Sequence, residues 1–175
     1  DLWAHSIGVG LLARAVGVAI KEKELENYFL AGIFHDIGKL IFMLFAAEEY
    51  RRVVELAKSK KITVTDAENE LFGNDHSVSG FLLAEKWKLP ILIQNTVRNH
   101  HNFTENDKNN LLLGSIYISN IYSKAIGLGY DGYSVIPRPT GIVWDTIKLN
   151  PGYIKSISKR ITEDFNHSIS TLLVD

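Results

Sequence analysis

The amino-acid sequence predicts an all-α protein, in which helices pack as a bundle around a shared core. Apolar residues recur at spacings of three and four along most of the chain, which is the period of a helix with one buried face. Helix-capping residues, glycines and prolines separate these stretches. The best strand candidate is the run 62–64, which is too short to form a sheet. We expect residues 1–175 to form a single domain.

The first two predicted helices carry polar residues that we expect near the core. His5 lies on the apolar stripe of the first helix, so its side chain is expected to point inward. A second helix is predicted over residues 24–45, with a broad apolar face that suits a central position. This helix carries His35, Asp36 and Lys39. The stripe of the first helix consists of Leu2, Val9, Leu12, Val16 and Ile20.

A short helix is predicted in the middle of the chain, after a charged surface helix over residues 47–59. Thr65 and Glu68 fit a capping box, in which a hydroxyl and a carboxylate each accept a hydrogen bond from a free backbone N–H. A glycine ends this helix, and Asn74 or Asp75 is expected to cap the next one.

The remaining core histidines are predicted at helix ends. His76 lies in the first turn of the helix that follows the cap. Pro90 suits the first position of another helix, which ends in His100 and His101.

The C-terminal part is expected to pack on the same domain. A helix is predicted over residues 110–126, and an irregular loop over 127–139 follows, rich in glycine and proline. Residues 140–175 are predicted to form C-terminal helices, the last of which begins at Asn150 and Pro151.

The composition excludes several kinds of partner and site. Lysine plus arginine number 19 and aspartate plus glutamate 20, so the formal charge of −1 provides no basic field for nucleic acid or an anionic membrane. The longest apolar runs, such as 31–34 and 41–47, are far shorter than the ~20 residues that span a bilayer. The chain has no cysteine, so any chemical site must use oxygen and imidazole. The tryptophans are expected to anchor the core: Trp3, Trp87 and Trp144.

Five of the six histidines lie on apolar helical faces or at helix ends, and His167 alone falls outside this set. A buried imidazole needs partners, because an unsatisfied buried polar group costs about 1–3 kcal/mol. A divalent metal ion gives these residues one shared explanation, since imidazole nitrogen and carboxylate oxygen are ligands of zinc, iron, manganese and nickel. A hydrogen-bonded core network without metal is the alternative, and His100 with His101 could instead complement a helix dipole.

Several motifs, taken in order along the chain, resemble one family. The H-D-I-G-K run at 35–39, preceded by His5, resembles the HD superfamily of metal-dependent phosphohydrolases. The runs G-N-D-H-S-V-S-G at 73–80, W-K-L-P at 87–90 and H-H at 100–101 resemble its HDOD branch, a bacterial output domain related to the HD-GYP phosphodiesterases. The resemblance extends from residue 1 to about residue 129 and implies an HD-domain-like helical bundle.

The resemblance also implies a metal site, with Asp36 and Lys39 as catalytic residues if the domain is active. Two departures from the family pattern weaken this site. The Gly-Tyr-Pro motif of the HD-GYP proteins does not follow His101, and Asn120 occupies the position of the family's last aspartate. The implied ligands are His5, His35, Asp36, His76, His100, His101 and Asn120.

The neutral amide of Asn120 reduces the negative charge that is available to bind metal ions. A neutral amide oxygen is a poorer ligand than a carboxylate, so we expect one divalent metal (Fe, Mn, Zn, Ni or Mg) rather than two. Glu68 and Glu70 are further carboxylate candidates, although capping explains Glu68 equally well.

The expected function is that of a cytoplasmic signal-transduction output domain that acts by regulatory protein interaction. Its expected partners are other signalling proteins or domains, with a nucleotide or phosphate as a further candidate ligand, and neither nucleic acid nor membrane is expected. The alternative is an active metal-dependent phosphohydrolase or phosphodiesterase, in which Lys39 stabilises the phosphate charge. The resemblance also implies a further helical lobe before the first histidine helix, so we expect the chain to be a fragment.

Overall fold

The structure is a computed structural model that describes residues 2–129 and 135–172. These residues form helices and no strand, which confirms the predicted all-α class. The run 62–64 is not a strand, because Val64 already begins a helix. The helices are α1 (Leu2–Ala19), α2 (Leu25–Phe34), α3 (Gly38–Phe45), α4 (Ala47–Lys60), α5 (Val64–Phe72), α6 (His76–Lys86), α7 (Ile91–Asn99), a 3-10 helix (Glu105–Asp107), α8 (Leu111–Ala125), α9 (Gly141–Ile147) and α10 (Pro151–Leu172).

The centre of the fold is α1, which packs against α2, α8 and α10. One side of α1 buries Leu12 and Val16 with apolar residues of α8, α9 and α10. Its other side contributes Ala13 to a second apolar cluster, which joins α2, α7 and α8. A third cluster lies between α4 and α5. Because α1 and α8 belong to both larger clusters, polar residues on these two helices are held deep inside the protein.

The helix predicted over 24–45 is two helices, so that prediction is wrong. A turn over residues 35–37 separates α2 from α3, and its backbone hydrogen bonds run from Ile37 N to the Phe34 carbonyl (3.0 Å) and from Lys39 N to the Asp36 carbonyl (2.9 Å). A close contact with another helix accompanies this turn. Gly38 packs directly on the first turn of α6, where a side chain on Gly38 would overlap the backbone of His76 and Gly80.

The cap of α5 also differs from the prediction. Thr63, not Thr65, begins the capping box: its hydroxyl oxygen accepts a hydrogen bond from Asp66 N (3.0 Å), and Asp66 accepts one from Thr63 N (3.4 Å). Glu68 therefore lies inside the helix, with its side chain buried. At the next helix the prediction is confirmed, since Asp75 caps α6 by accepting from Ser77 N (2.9 Å).

The predicted roles of the tryptophans are largely wrong. Trp3 is 49% exposed and Trp87 is 54% exposed, so neither anchors the core. Trp144 is half-buried and packs against the cluster formed by α1, α8, α9 and α10. An aromatic residue next to an apolar stripe is compatible with either position, because helical periodicity does not specify how wide the buried face is.

Two segments, Leu2–Ala19 and Leu25–Phe45, are long and apolar enough to cross a membrane by length and composition alone. This qualifies the expectation drawn from the short continuous runs. In the structure the first segment is the buried helix α1, and the second is divided by the turn at 35–37. Core helices that are mostly buried pass the same test, and α1 is of this kind.

The C-terminal helices pack on this core, α9 against α8 and α10 against α1. Within the predicted loop 127–139, the described residues 127–129 and 135–139 are not helical. Residues 130–134 of that loop lie outside the described residues.

Candidate metal centre

Five structural elements bring the predicted site residues together. His5 comes from α1, His35 and Asp36 from the turn between α2 and α3, and His76 from the first position of α6. The end of α7 supplies the adjacent pair His100 and His101, and α8 supplies Asn120. All of these side chains are buried except that of His101, which is half-buried. His167 is exposed, on α10.

The carboxylate of Asp36 lies at the centre of this cluster. Its Oδ1 atom is 2.9 Å from His76 Nε2 and 3.3 Å from His100 Nε2. Its Oδ2 atom is 3.4 Å from His35 Nε2 and 3.9 Å from His5 Nε2. The two halves of the carboxylate therefore face two groups of histidines. The break between α2 and α3 makes this arrangement, because it lets His35 and Asp36 both face inward.

Lys39 belongs to the same buried cluster. Its side chain is 1% exposed, and Nζ lies 2.6 Å from Asp36 Oδ2. The ammonium group of Lys39 is therefore not a solvated surface charge. In this arrangement it offsets the negative charge of the central carboxylate.

Three histidines are oriented in the same way. His35 Nδ1 donates to the Gly32 carbonyl (2.7 Å), and His100 Nδ1 donates to the Val97 carbonyl (2.7 Å). His76 Nδ1 donates to the Glu68 carboxylate (2.6 Å). Each ring is thereby held with Nε2 toward Asp36, which is how metal-ligating histidines are fixed by a second hydrogen bond.

Three buried atoms in the cluster make no hydrogen bond of regular geometry: His35 Nε2, His100 Nε2 and Asp36 Oδ1, although the last lies 2.9 Å from His76 Nε2. Buried polar atoms nearly always make hydrogen bonds, so three neighbouring atoms without one need an explanation. A divalent cation would satisfy all of them. Ligand atoms within 4.8 Å of one another occur in two overlapping sets, Asp36 with His76, His100 and His101, and Asp36 with His5 and His35. Both the ligand types, imidazole nitrogen and carboxylate oxygen, and the atoms without hydrogen bonds are therefore consistent with a bound metal ion.

The electrostatics of the cluster separate its histidines. Burial lowers the pKa of His35, His100 and His101 below the usual value, so these rings are neutral. Burial acts against a charge on His76 as well, but Glu68 and Asp36 raise its pKa to about 9. Burial would raise the pKa of Asp36, but the charged side chains of Lys39 and His76 hold it well below its usual range. Asp36 is therefore ionised, and a metal ion would displace a proton from His76.

His5 and Asn120 form a pair at the edge of the cluster. The amide oxygen of Asn120 accepts a hydrogen bond from His5 Nε2 (3.1 Å), and His5 Nδ1 lies 3.4 Å from the Leu128 carbonyl. The structure thus places Asn120 beside a predicted ligand, where it engages the nitrogen that also approaches Asp36. The Nε2 atom of His5 thus has a hydrogen-bond partner, whereas the Nε2 atoms of His35 and His100 have none.

Glu68 lies against the candidate centre, whereas the sequence left it equally compatible with a carboxylate of the site and with a helix cap. It is fully buried and contacts His76 directly. A signal was present in the sequence, since Val64, Ala67 and Glu68 are the buried positions of α5 at spacings of three and four. A glutamate on the apolar face of an amphipathic helix is expected to have a buried partner.

Comparisons with known proteins agree with this fold. An HDOD domain of unknown function from Geobacter sulfurreducens superposes with a TM-score of 0.84 and 27% identity, over 99% of this chain and 63% of that chain. A candidate signal transduction protein from Marinobacter aquaeolei VT8 has a TM-score of 0.83 and 16% identity, over 98% of this chain and 38% of that one. A candidate phosphohydrolase from Shewanella amazonensis SB2B has a TM-score of 0.69 and 17% identity, over 93% of this chain and 59% of that one.

A curated relative is similar in sequence. An uncharacterized protein from Treponema pallidum (strain Nichols) is 24% identical over 140 residues, which are 79% of this chain and 27% of that protein. The chain thus spans about a quarter of this relative's length. The sequence model of the HDOD domain family matches residues 1–103, which include every clustered histidine and Asp36. The chain belongs to the HDOD domain family.

Proposed function

We propose that this HDOD domain is a regulatory output module of a signalling protein, whose histidine–aspartate centre binds one divalent metal ion and which acts by protein contact rather than by turnover. The observation that carries the proposal is the pair of His5 and Asn120, in which a neutral amide occupies the edge of the centre. A signalling role is consistent with the likeness to the candidate signal transduction protein from Marinobacter, which is similar in fold alone.

The charges of the cluster favour one metal ion. Asp36 contributes one negative charge, and the ammonium group of Lys39, 2.6 Å away, offsets it. Glu68 adds a second carboxylate, although it contacts His76 and not Asp36. Two divalent ions would bring four positive charges into a buried site with this charge balance, and uncompensated buried charge is costly.

The residues that would hold the ion are His35, Asp36, His76 and His100, whose ligand atoms face one another. His101 and His5 flank them. A divalent ion in such a site lowers the pKa of a bound water and polarises a phosphoryl oxygen. Lys39 already contacts Asp36, so a phosphate group would have to compete with that contact. The arrangement therefore favours metal binding over phosphate turnover as the role of the centre.

An active phosphohydrolase is the second candidate. The inward Nε2 atoms of His35, His76 and His100 favour it, because these donors are suited to a catalytic metal as well as to a regulatory one. The likeness to the Shewanella protein shows the fold alone at 17% identity.

An assay of purified protein distinguishes the two candidates. The protein is loaded with manganese, iron or zinc and offered cyclic dinucleotides, mononucleotides and a generic phosphodiester. The proposal predicts no turnover of any substrate. Metal-dependent turnover that is lost in Asp36→Ala, but kept in the surface control His167→Ala, would overturn it.

The expected partners are other signalling proteins or domains in the cytoplasm, with a nucleotide or phosphate as a further candidate ligand. Identification of proteins that co-purify with the whole protein in the presence and absence of chelator tests this expectation. Association that depends on metal would support a regulatory centre.

A further inference from the structure

The side chain of Glu68 is the most completely buried carboxylate outside the set of predicted ligands in the described part of the chain, at 0% exposure. It lies on α5, in the second turn after the capping pair Thr63 and Asp66. Burial of a carboxylate is costly unless charged or polar partners compensate it. The partners of Glu68 therefore indicate why it is there.

Both hydrogen bonds of Glu68 end on one residue. Its Oε2 atom accepts from the backbone N–H of His76 (3.0 Å) and from ring atom Nδ1 of His76 (2.6 Å). Two contacts to the same residue fix the rotation of the ring as well as the position of its backbone. On the far side of the ring, Nε2 lies 2.9 Å from Asp36 Oδ1. The imidazole of His76 is thus held between two carboxylates.

A structural role as a helix cap does not account for the whole arrangement. His76 is the first residue of α6, so its backbone N–H is one of the donors that a cap satisfies. Asp75 already supplies a cap on the same helix, through Ser77 N. The contact between Glu68 and the ring atom Nδ1 satisfies no backbone donor. Its effect is on the imidazole, where it keeps the hydrogen on Nδ1 and turns Nε2 toward Asp36.

We infer that Glu68 is a positioning residue of the candidate centre: its carboxylate holds Nδ1–H of His76 and so presents Nε2 of that ring to the metal site beside Asp36. The inference rests on the proposed metal centre for its effect on metal affinity, but not for the orientation of the ring. It also assigns the centre a second carboxylate, which contributes through His76 rather than as a ligand.

The first test measures the ring itself in metal-free protein. Long-range proton–nitrogen NMR spectra of the wild-type protein, with the His76 signals assigned by His76→Gln, should show a proton on Nδ1 that exchanges slowly with water. In Glu68→Gln this proton should exchange faster and its nitrogen shift should change. An Nδ1 atom without a proton in the wild-type protein would overturn the inference, and this measurement needs no folded variant at position 68.

The second test measures metal affinity by calorimetry with zinc or manganese alone. Loss of such an orienting partner lowers metal affinity by about 10–100-fold, so Glu68→Gln should bind that much more weakly. Glu68→Asp, which retains the charge, should recover part of the affinity. Glu70→Gln is the matched control, because Glu70 lies on the same helix and pairs on the surface with Lys60 (2.6 Å), so its affinity should equal that of the wild-type protein.

The outcomes separate the inference from the function on which it rests. Equal affinity and unchanged ring signals in Glu68→Gln would overturn the positioning role. If wild-type protein takes up no metal while the ring signals change in Glu68→Gln, the proposed metal function is wrong and the orienting role of Glu68 is upheld.

Discussion

Asp36 determines the charge balance of the candidate centre, because its two oxygens meet four histidines and one lysine. Its low pKa means that it remains ionised at neutral pH. The H-D doublet in the sequence was enough to predict this residue as a site residue. The sequence did not show that Lys39 would be buried against it, since a lysine three residues away on a helix is equally compatible with solvent.

Replacement of Asp36 by alanine is expected to destabilise the protein. The change removes the carboxylate 2.6 Å from a buried ammonium group, and breaking a buried ion pair costs about 3–5 kcal/mol. Urea denaturation of metal-free protein measures this difference. The double variant Asp36→Ala with Lys39→Met should recover part of the loss, because it also removes the buried positive charge. Unchanged stability in Asp36→Ala would contradict the described pair.

Asn120→Asp is expected to have opposite effects with and without metal. The new carboxylate would lie beside His5, where the amide oxygen is 3.1 Å from Nε2. Without metal it adds a buried charge and should lower the melting temperature. With metal it adds a ligand of the preferred kind and should raise metal affinity. Melting curves in chelator and in zinc measure both effects.

Asn110→Asp is the matched control for this change, on the same helix. Asn110 caps α8 by accepting from Leu113 N (3.0 Å), a position where aspartate serves equally well. Its melting temperature should be insensitive to metal beyond the wild-type response. If Asn120→Asp changes neither stability nor metal affinity, the role assigned to Asn120 is wrong.

At the scale of elements, the turn between α2 and α3 shows what the sequence could and could not predict. The apolar period continues through residues 34–41, so the pattern itself favours one uninterrupted helix. At the interruption, Gly38 packs against the backbone of α6, a helix that comes much later in the chain. Periodicity describes which face of a segment is apolar, and it carries no information about which distant backbone will approach it.

Gly38→Ala is therefore expected to be strongly destabilising. A β-carbon at this position would overlap the backbone of His76 and Gly80, which cannot move aside as a flexible side chain can. Overpacking of this kind costs about 1–3 kcal/mol or more. Gly141→Ala is the control, since nothing lies within 4 Å of a β-carbon there. Chemical denaturation of both variants measures the difference, and equal stabilities would contradict the close packing of α3 on α6.

The cap of α5 gives a second prediction at this scale. Thr63→Ala should cost about 1 kcal/mol, because it removes the hydroxyl that accepts from Asp66 N. Thr65→Ala should cost less, since Thr65 is not the capping residue. Denaturation midpoints decide between the two positions. A larger loss in Thr65→Ala would favour the capping box that the sequence pattern predicts, and would leave Glu68 as a capping residue.

For the whole molecule, the apolar periodicity predicted the all-α class and the order of motifs predicted the family. The inward positions of the five histidines suggested a shared site, but only the resemblance added Asn120 to it, because helical spacing does not relate one helix to another. Glu68 and the exposed tryptophans show the same limit. Whether these side chains are buried depends on which neighbouring helix packs against them, and the sequence pattern does not specify that neighbour.

Metal binding should stabilise the whole domain by mass action. At a free metal concentration of 100 times the dissociation constant, the gain is about 2.7 kcal/mol, if the metal binds only the folded state. For a chain of this size that corresponds to a rise in melting temperature of roughly 5–10 °C. Calorimetry of chelator-treated protein with and without zinc or manganese measures it. A melting temperature that ignores both metal and chelator would instead support a hydrogen-bonded histidine core.

The contact between Gly38 and α6 has a mechanical consequence. The N-terminal end of α3, at Gly38, packs on the backbone of His76. Its C-terminal residue, Phe45, is 84% exposed to solvent. Close-packed backbones transmit displacement because nothing between them can compress. A displacement of the Gly38 end of α3 would therefore move the backbone of His76, and with it one residue of the candidate centre.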